Sequence, residues 1–230
     1  MHKTNPERQC WGYEVIGNFT THLMLASILG STRTTSPICS MNPYRRRIFS
    51  ELQNMLTTIG PLDQSLDVGA GDGWFAMCIR NAGICRSVTA VDVAARASTY
   101  YPIGIYDGAQ LPASNATYDL VYAIDVVHHA DEPLKLLAEM ARCTRRYLLL
   151  KDHTWETWLG WLALFALDEM GNRRFGIRCV YKYQRGREWD AVLAEAGLRL
   201  VHIVNPLRCH VGMLGHATND LQFLSLWERN

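Results

Sequence analysis

Apolar and polar residues follow two different rhythms along this chain, and the change falls near residue 64. Before it, apolar positions recur at helical spacing. Tyr13, Ile16, Phe19, Leu23 and Ala26 make one stripe, and Tyr44 to Thr57 carries a second that stops before Gly60-Pro61. The breaker-rich stretch from Ser31 to Pro37 separates them. After residue 64, short β-branched runs alternate with helical stripes. Ser65–Val68, Ser87–Val93, Pro102–Tyr106, Tyr118–Ile124 and Arg146–Lys151 read as strands. Gly73–Asn81 reads as a helix, and Asp131-Glu132-Pro133 opens another with a capping residue and a first-turn proline. Such alternation predicts a parallel sheet covered by helices on both faces. The tail differs: a helix over Glu188–Ala196, closed by Gly197, precedes strands Leu198–Val204 and Leu221–Trp227 with only a loop between them. Two strands without an intervening helix pair antiparallel. The expected fold is α/β, doubly wound and mainly parallel, with one antiparallel strand near the edge and a helical lid. Residues 1–43 are expected to form an N-terminal lid segment on a domain spanning 44–230, with 152–187 inserted as a second lid.

Composition narrows the function classes. The 230 residues are 48% hydrophobic and 20% charged, which is globular. With 23 basic and 22 acidic side chains, there is no excess charge to attract nucleic acid. Arg45-Arg46-Arg47 reads as a solvated helix face. The 7 cysteines form no C-x-x-C pair, so neither a metal site nor a disulfide framework is expected, and reducing cytoplasm is the default compartment. No apolar run reaches the ~18 residues of a spanning helix. Trp158–Leu167 is too short, and His22–Gly30 lacks the flanks of a secretion signal, so the expectation is a protein without a membrane span.

The chemistry concentrates in Leu66-Asp-Val-Gly-Ala-Gly-Asp-Gly73, between a strand and a helix. Glycines there let the backbone turn tightly and approach a ligand where any Cβ would clash. A nicotinamide-binding loop has the form G-x-G-x-x-G, but the third glycine position is Trp74, whose indole blocks helix-to-strand packing. The spacing D-x-G-x-G-x-G fits Asp67, Gly69, Gly71 and Gly73 instead. A carboxylate at Asp67 suits an ammonium-bearing ligand and would repel a pyrophosphate; Asp72 adds to that preference.

On these residues the chain resembles the class I S-adenosylmethionine-dependent methyltransferase superfamily, with its Rossmann-like seven-stranded sheet, over about residues 45–150. The resemblance implies S-adenosyl-L-methionine as cofactor and S-adenosyl-L-homocysteine as product, held by Asp67 and the loop backbone at Gly69, Ala70 and Gly71. It implies that Asp92, followed by Val93, accepts the ribose hydroxyls, and that Asp107, with Gly108 beside it, accepts the adenine amino group. Asp125, in Tyr118-Asp-Leu-Val-Tyr-Ala-Ile-Asp-Val-Val-His-His129, would border the methionine end. Lys151-Asp-His153, Asp168-Glu-Met-Gly-Asn172 and Trp189 are similar to the small-molecule (methyltransferase type 11-like) branch.

Displacement at an activated methyl needs alignment and exclusion of water, plus a base where the acceptor carries a proton. His128 and His129 follow the fourth strand, and His128 matches the place of a catalytic histidine in plant O-methyltransferases, although His129-Ala130 replaces that motif's Asp-Trp. They act as base, or else pack over the cofactor or cap the next helix. Asp152 and His153 orient the acceptor or serve as base, unless Asp152 caps a helix starting near Thr154. Trp155, Trp158, Trp161, Phe165, Tyr181, Tyr183, Met213 and Leu214 imply apolar walls for a small, largely apolar or aromatic acceptor. The Trp- and Leu-rich helix has other readings: core packing, a homodimer interface, or a membrane-surface element. Protein or RNA methylation, and cofactor binding without turnover, are the rival functions; the near-zero charge speaks against RNA.

Overall fold

The computed structural model describes residues 42–172 and 179–230. Helix α1 (Pro43–Thr57) starts at Asn42, whose Oδ1 accepts from the Tyr44 and Arg45 amides, with proline in the first turn where no amide partner is needed. Then follow β1 (Leu62–Val68), α2 (Trp74–Asn81), β2 (Cys85–Asp92), β3 (Gly104–Ile105) and β4 (Tyr118–Ile124). A 3-10 turn (Val127–His129), α3 (Pro133–Cys143), β5 (Thr144–Trp155) and α4 (Trp158–Asn172) come next. The tail holds β6 (Gln184–Arg185), α5 (Trp189–Glu195), β7 (Leu198–Val204), α6 (Gly212–Thr218) and β8 (Gln222–Arg229).

The main sheet runs β3-β2-β1-β4-β5-β8-β7, with β6 paired to the end of β5. All its strands are parallel except β8, which runs against both β5 and β7. The chain thus has the doubly wound sheet with one reversed strand near the edge that its sequence predicts. Alternation along the strands divides the core. Leu66, Val68, Val121, Ala123, Leu148 and Leu150 face α3 and α5, packing on Leu137, Met140, Trp189 and Leu193. Leu120, Tyr122, Leu149, Leu224 and Leu226 face the other way, onto Ile48 and Leu52 of α1 and Ile79 of α2. Strands buried on both faces read as continuous apolar runs, which explains Tyr118–Ile124 and Leu148–Leu150.

Several expectations need correction. β5 extends to Trp155, so Asp152 and His153 lie in the sheet, opposite Phe223 and Gln222 of β8, and not at the head of a lid. No helix begins at Thr154 for Asp152 to cap. The third strand shrinks to Gly104–Ile105, and the expected loop from Asn205 to Asn219 contains α6. The apolar helix α4 is not core: only Leu164 and Asp168 are buried, while Trp158 is 69% and Leu159 60% exposed. The expected stripe over Tyr13–Ala26, and all but the end of the 1–43 lid, lie outside the described residues. No described helix is long and apolar enough to cross a membrane. Among the described residues, Cys85, Cys143 and Cys209 are buried thiols.

Candidate functional site

The glycine loop leaves β1 under tight backbone control. The Gly69 and Ala70 amides both donate to the Val91 carbonyl of β2, at 2.9 and 3.0 Å. Gly69 has φ +70°, and a Cβ there would lie 2.5 Å from Val126 Cγ1, so both conformation and space exclude a side chain. Gly71, at φ +60°, differs: a Cβ there would meet no protein atom within 4 Å, so the loop backbone borders open space. Trp74, where a nicotinamide loop needs glycine, is buried edge-on against Phe49 and Phe75.

Three of the expected acidic residues surround this bend. Asp92 ends β2 and accepts the Gly71 amide on Oδ2 (2.7 Å) and the Ala94 amide on Oδ1 (2.9 Å), which fixes its carboxylate beside the loop. Asp107 is held by the amides of Ala109 (2.9 Å) and Gln110 (3.3 Å), and these bonds lower its pKa. Gly108, at φ +80°, approaches Val93, which is 60% exposed and offers uncovered apolar surface next to Asp107. Asp67 is buried, and its Oδ2 has no hydrogen-bond partner. Burial pushes its carboxyl well above the usual range; the Tyr122 hydroxyl opposes this without overcoming it, and Asp92 adds to the upward shift. A buried acid lacking a cation is the group an ammonium would satisfy. Asp72, grouped with Asp67 in the sequence, is instead paired with Arg45 at 2.7 Å, and that guanidinium lies over the Trp74 ring. Arg45 therefore tethers α1 to the loop and is not a plain solvated face.

Asp125 follows β4 at φ +57°. Its Oδ1 pairs with the fully buried Lys151 ammonium, and its Oδ2 accepts from the Tyr44 hydroxyl at 2.8 Å. Lys151 also donates to Tyr44 (2.6 Å) and Gln222 (2.7 Å). Burial alone would raise the Asp125 pKa; Lys151 outweighs it and the net shift is downward. Burial next to Asp125 raises Tyr44.

The remaining candidates converge in one buried cluster. Asp152 Oδ2 accepts the Val127 amide (3.0 Å), so Asp152 caps the 3-10 turn that carries both histidines. Its Oδ1 lies 2.6 Å from His128 Nδ1 and accepts the His153 amide at 2.7 Å. The His128 and His129 rings lie 4.0 Å apart, and His153 meets His128 edge-on at 4.5 Å. Burial opposes a charge on His128, but Asp152 overrides it and the pKa rises to about 10. Burial and His128 push His129 down to about 4. His153 is also lowered, by burial and then by Lys151. Asp152 moves well below its ordinary value, because His128 outweighs the effect of burial.

Sequence reasoning did not assign Asp168, Asn172, Tyr44 or Gln222 to the site, and it read Tyr183 only as an apolar wall. Asp168, on α4, has Oδ1 3.7 Å from His128 Nε2; it accepts from Tyr183 Oη at 2.6 Å and from Asn172 Nδ2 at 3.2 Å. The available signal was an acid directly after the apolar run Trp158–Leu167. From this cluster aromatic rings lead outward: Tyr183 contacts His128 and Trp161, and Trp161 stacks on Phe165.

Fold and loop together give a Rossmann-like sheet whose first strand leads through a buried acid into a glycine bend. A family model described as a methyltransferase domain matches residues 42–203, and the chain belongs to that family. An uncharacterized methyltransferase of Mycolicibacterium gilvum (strain PYR-GCK) is 30% identical over 154 residues, which cover 58% of each chain. Another from Mycolicibacterium vanbaalenii is 31% identical over 154 residues, again 58% of each. The chain thus spans less than two thirds of these relatives. Among solved structures, the N-methyltransferase NodS from Bradyrhizobium japonicum WM9, in complex with S-adenosyl-L-homocysteine, superposes with TM-score 0.56 at 16% identity, over 86% of this chain and 93% of that one. An S-adenosylmethionine-dependent methyltransferase from Mesorhizobium loti gives 0.56 at 15%, over 80% and 98%. At these identities the likeness is one of fold.

Proposed function

We propose that the protein transfers the methyl group of S-adenosyl-L-methionine to a small, largely apolar or aromatic acceptor. The carrying observation is the bend at Gly69–Gly73, where open space at Gly71 lies beside the fixed carboxylate of Asp92, with the buried acid Asp67 near the end of the strand that leads into it. These residues suit the cofactor: Asp67 for the ammonium, the loop backbone for close approach, Asp92 for the ribose, and Asp107 with Val93 and Gly108 for the adenine. When bound, the cofactor supplies a methyl group already activated on a sulfonium.

Asp92 has both oxygens directed by backbone amides, and each keeps a lone pair for a ribose hydroxyl. Lys151, Tyr44 and Gln222 engage both oxygens of Asp125 or its partner, so Asp125 shapes the methionine end chiefly through its backbone and the rigidity of its network. The rings of Tyr183, Trp161 and Phe165 favour an apolar acceptor beside the histidines and keep water from it. A near-zero net charge argues against an RNA substrate. The test is calorimetric titration with the cofactor, followed by a labelled-methyl assay against small-metabolite fractions. Label in a low-molecular-weight product is the expected result; label confined to protein or RNA would overturn the acceptor class.

A further inference from the structure

We infer that His128 Nε2, His129 Nδ1 and an Asp168 carboxylate oxygen form a site for one divalent transition-metal ion, Zn2+ in the first instance. The sequence, read for cysteine pairs, gives no hint of it. The three side chains can each present a ligand atom such that all lie within 4.8 Å of one another. His128 Nε2 and Asp168 Oδ1 are 3.7 Å apart. Two ligands at tetrahedral positions ~2.1 Å from zinc are separated by roughly 3.4 Å, so closing this pair needs only a few tenths of an ångström.

A second observation points to the same place. His128 Nε2 and His129 Nδ1 are buried nitrogens that make no hydrogen bond, and His128 Nε2 has the Asp168 carboxylate 3.7 Å away, a gap that an ion bound to both would close. Such groups are rare unless something not yet counted satisfies them. The surrounding shell is that of a metal site: His128 turns its other nitrogen, Nδ1, to Asp152 at 2.6 Å, the carboxylate–histidine pairing that fixes ring orientation and makes the free nitrogen a better donor. Tyr183 steadies Asp168 at 2.6 Å. Asn172 Nδ2 donates to the same carboxylate at 3.2 Å, which holds Asp168 beside the two rings. The other grouping, His128 with Asp152 and His153, is already committed to hydrogen bonds with the Val127 and His153 amides.

Three protein ligands leave a fourth position open, as in catalytic zinc sites. Under the methyl-transfer reading, on which this role alone depends, that position takes an acceptor hydroxyl or amine. The acceptor's proton passes to solvent, its freed lone pair forms the new bond to the methyl carbon, and the electrons of the broken S–C bond stay on sulfur. The ion needs no oxidant or reductant.

The full chain, stripped with EDTA, is titrated with Co2+ and Zn2+ while S-adenosyl-L-homocysteine binding is measured separately. The expected result is one equivalent of Co2+ with visible d–d bands and no thiolate charge-transfer band. Zn2+ should displace it. His129→Ala and Asp168→Asn should each weaken Zn2+ at least tenfold, with S-adenosyl-L-homocysteine affinity within twofold of the parent. No stoichiometric binding, a thiolate band, or full affinity in both variants would overturn the site. Metal binding without S-adenosyl-L-homocysteine binding would keep the site and remove the methyl-transfer reading; the converse would do the opposite.

Discussion

Lys151 and Asp125 form an ion pair where the ends of β5 and β4 meet, closed over by Tyr44 from α1 and Gln222 from β8. Four elements distant in sequence are thereby locked at the C-terminal edge of the sheet. Lys151 is fully buried, so the pair persists only because every ammonium proton has an acceptor. Lys151→Met should leave Asp125 uncompensated and cost about 3 kcal/mol, the lower end for breaking a buried pair since Asp125 is 25% exposed. Urea unfolding measures it. A double variant with Asp125→Asn should recover part of the loss; strictly additive losses would show that the two do not interact.

Asp67 couples folding to pH. Its folded pKa is raised above the unfolded value of about 3.9, so folding favours the protonated acid. That contribution is complete below the unfolded value and is lost as pH rises through the folded one. Asp67→Asn should therefore leave the melting temperature unchanged near pH 3.5 and raise it at pH 8. A gain of about 1 kcal/mol corresponds to roughly 2–4 °C for a chain this size. Cofactor affinity should fall at least tenfold in the same variant. A lower melting temperature at pH 8 would mean that the carboxylate has a partner when folded.

Much of this was legible in the sequence, for local reasons. Strands buried on both faces announce themselves as apolar runs, and the glycine bend with Asp92 and Asp107 occupies short stretches with strong conformational demands. The histidine cluster was not legible as a unit. His128, Asp152, Asp168 and Tyr183 meet only through the β4–β5 pairing and the position of α4. Of the two readings open for Asp152, the cap of a helix near Thr154 fails because Lys151-Asp-His153 is a run of buried strand positions, with Lys151 paired to Asp125 and Asp152 to the Val127 amide.

Glycines in the bend should fail in different ways. Gly69→Ala places a Cβ 2.5 Å from Val126 Cγ1 at φ +70°, so it should reduce both stability and cofactor binding. Gly71→Ala meets no protein atom, so its folding cost is limited to the ~1–2 kcal/mol of a left-handed alanine. Its cofactor affinity should still drop at least tenfold, because the methyl enters the ligand's space. Thermal melts and calorimetry on the two variants check this; equal cofactor affinity in Gly71→Ala and the parent would place the ligand elsewhere.

Asp92→Ala removes an acceptor for two backbone amides and, under the proposed function, for the ribose. Charged hydrogen bonds of this kind are worth about 1.5–3 kcal/mol. Binding of S-adenosyl-L-homocysteine should weaken by at least tenfold, read by calorimetry.

The most direct measurement is a crystal of the full chain soaked with S-adenosyl-L-homocysteine. The account predicts its amino group at Asp67, its ribose on Asp92 and its purine between Val93 and Asp107. An empty bend at millimolar ligand, or a nucleotide diphosphate seated there in its place, would contradict it.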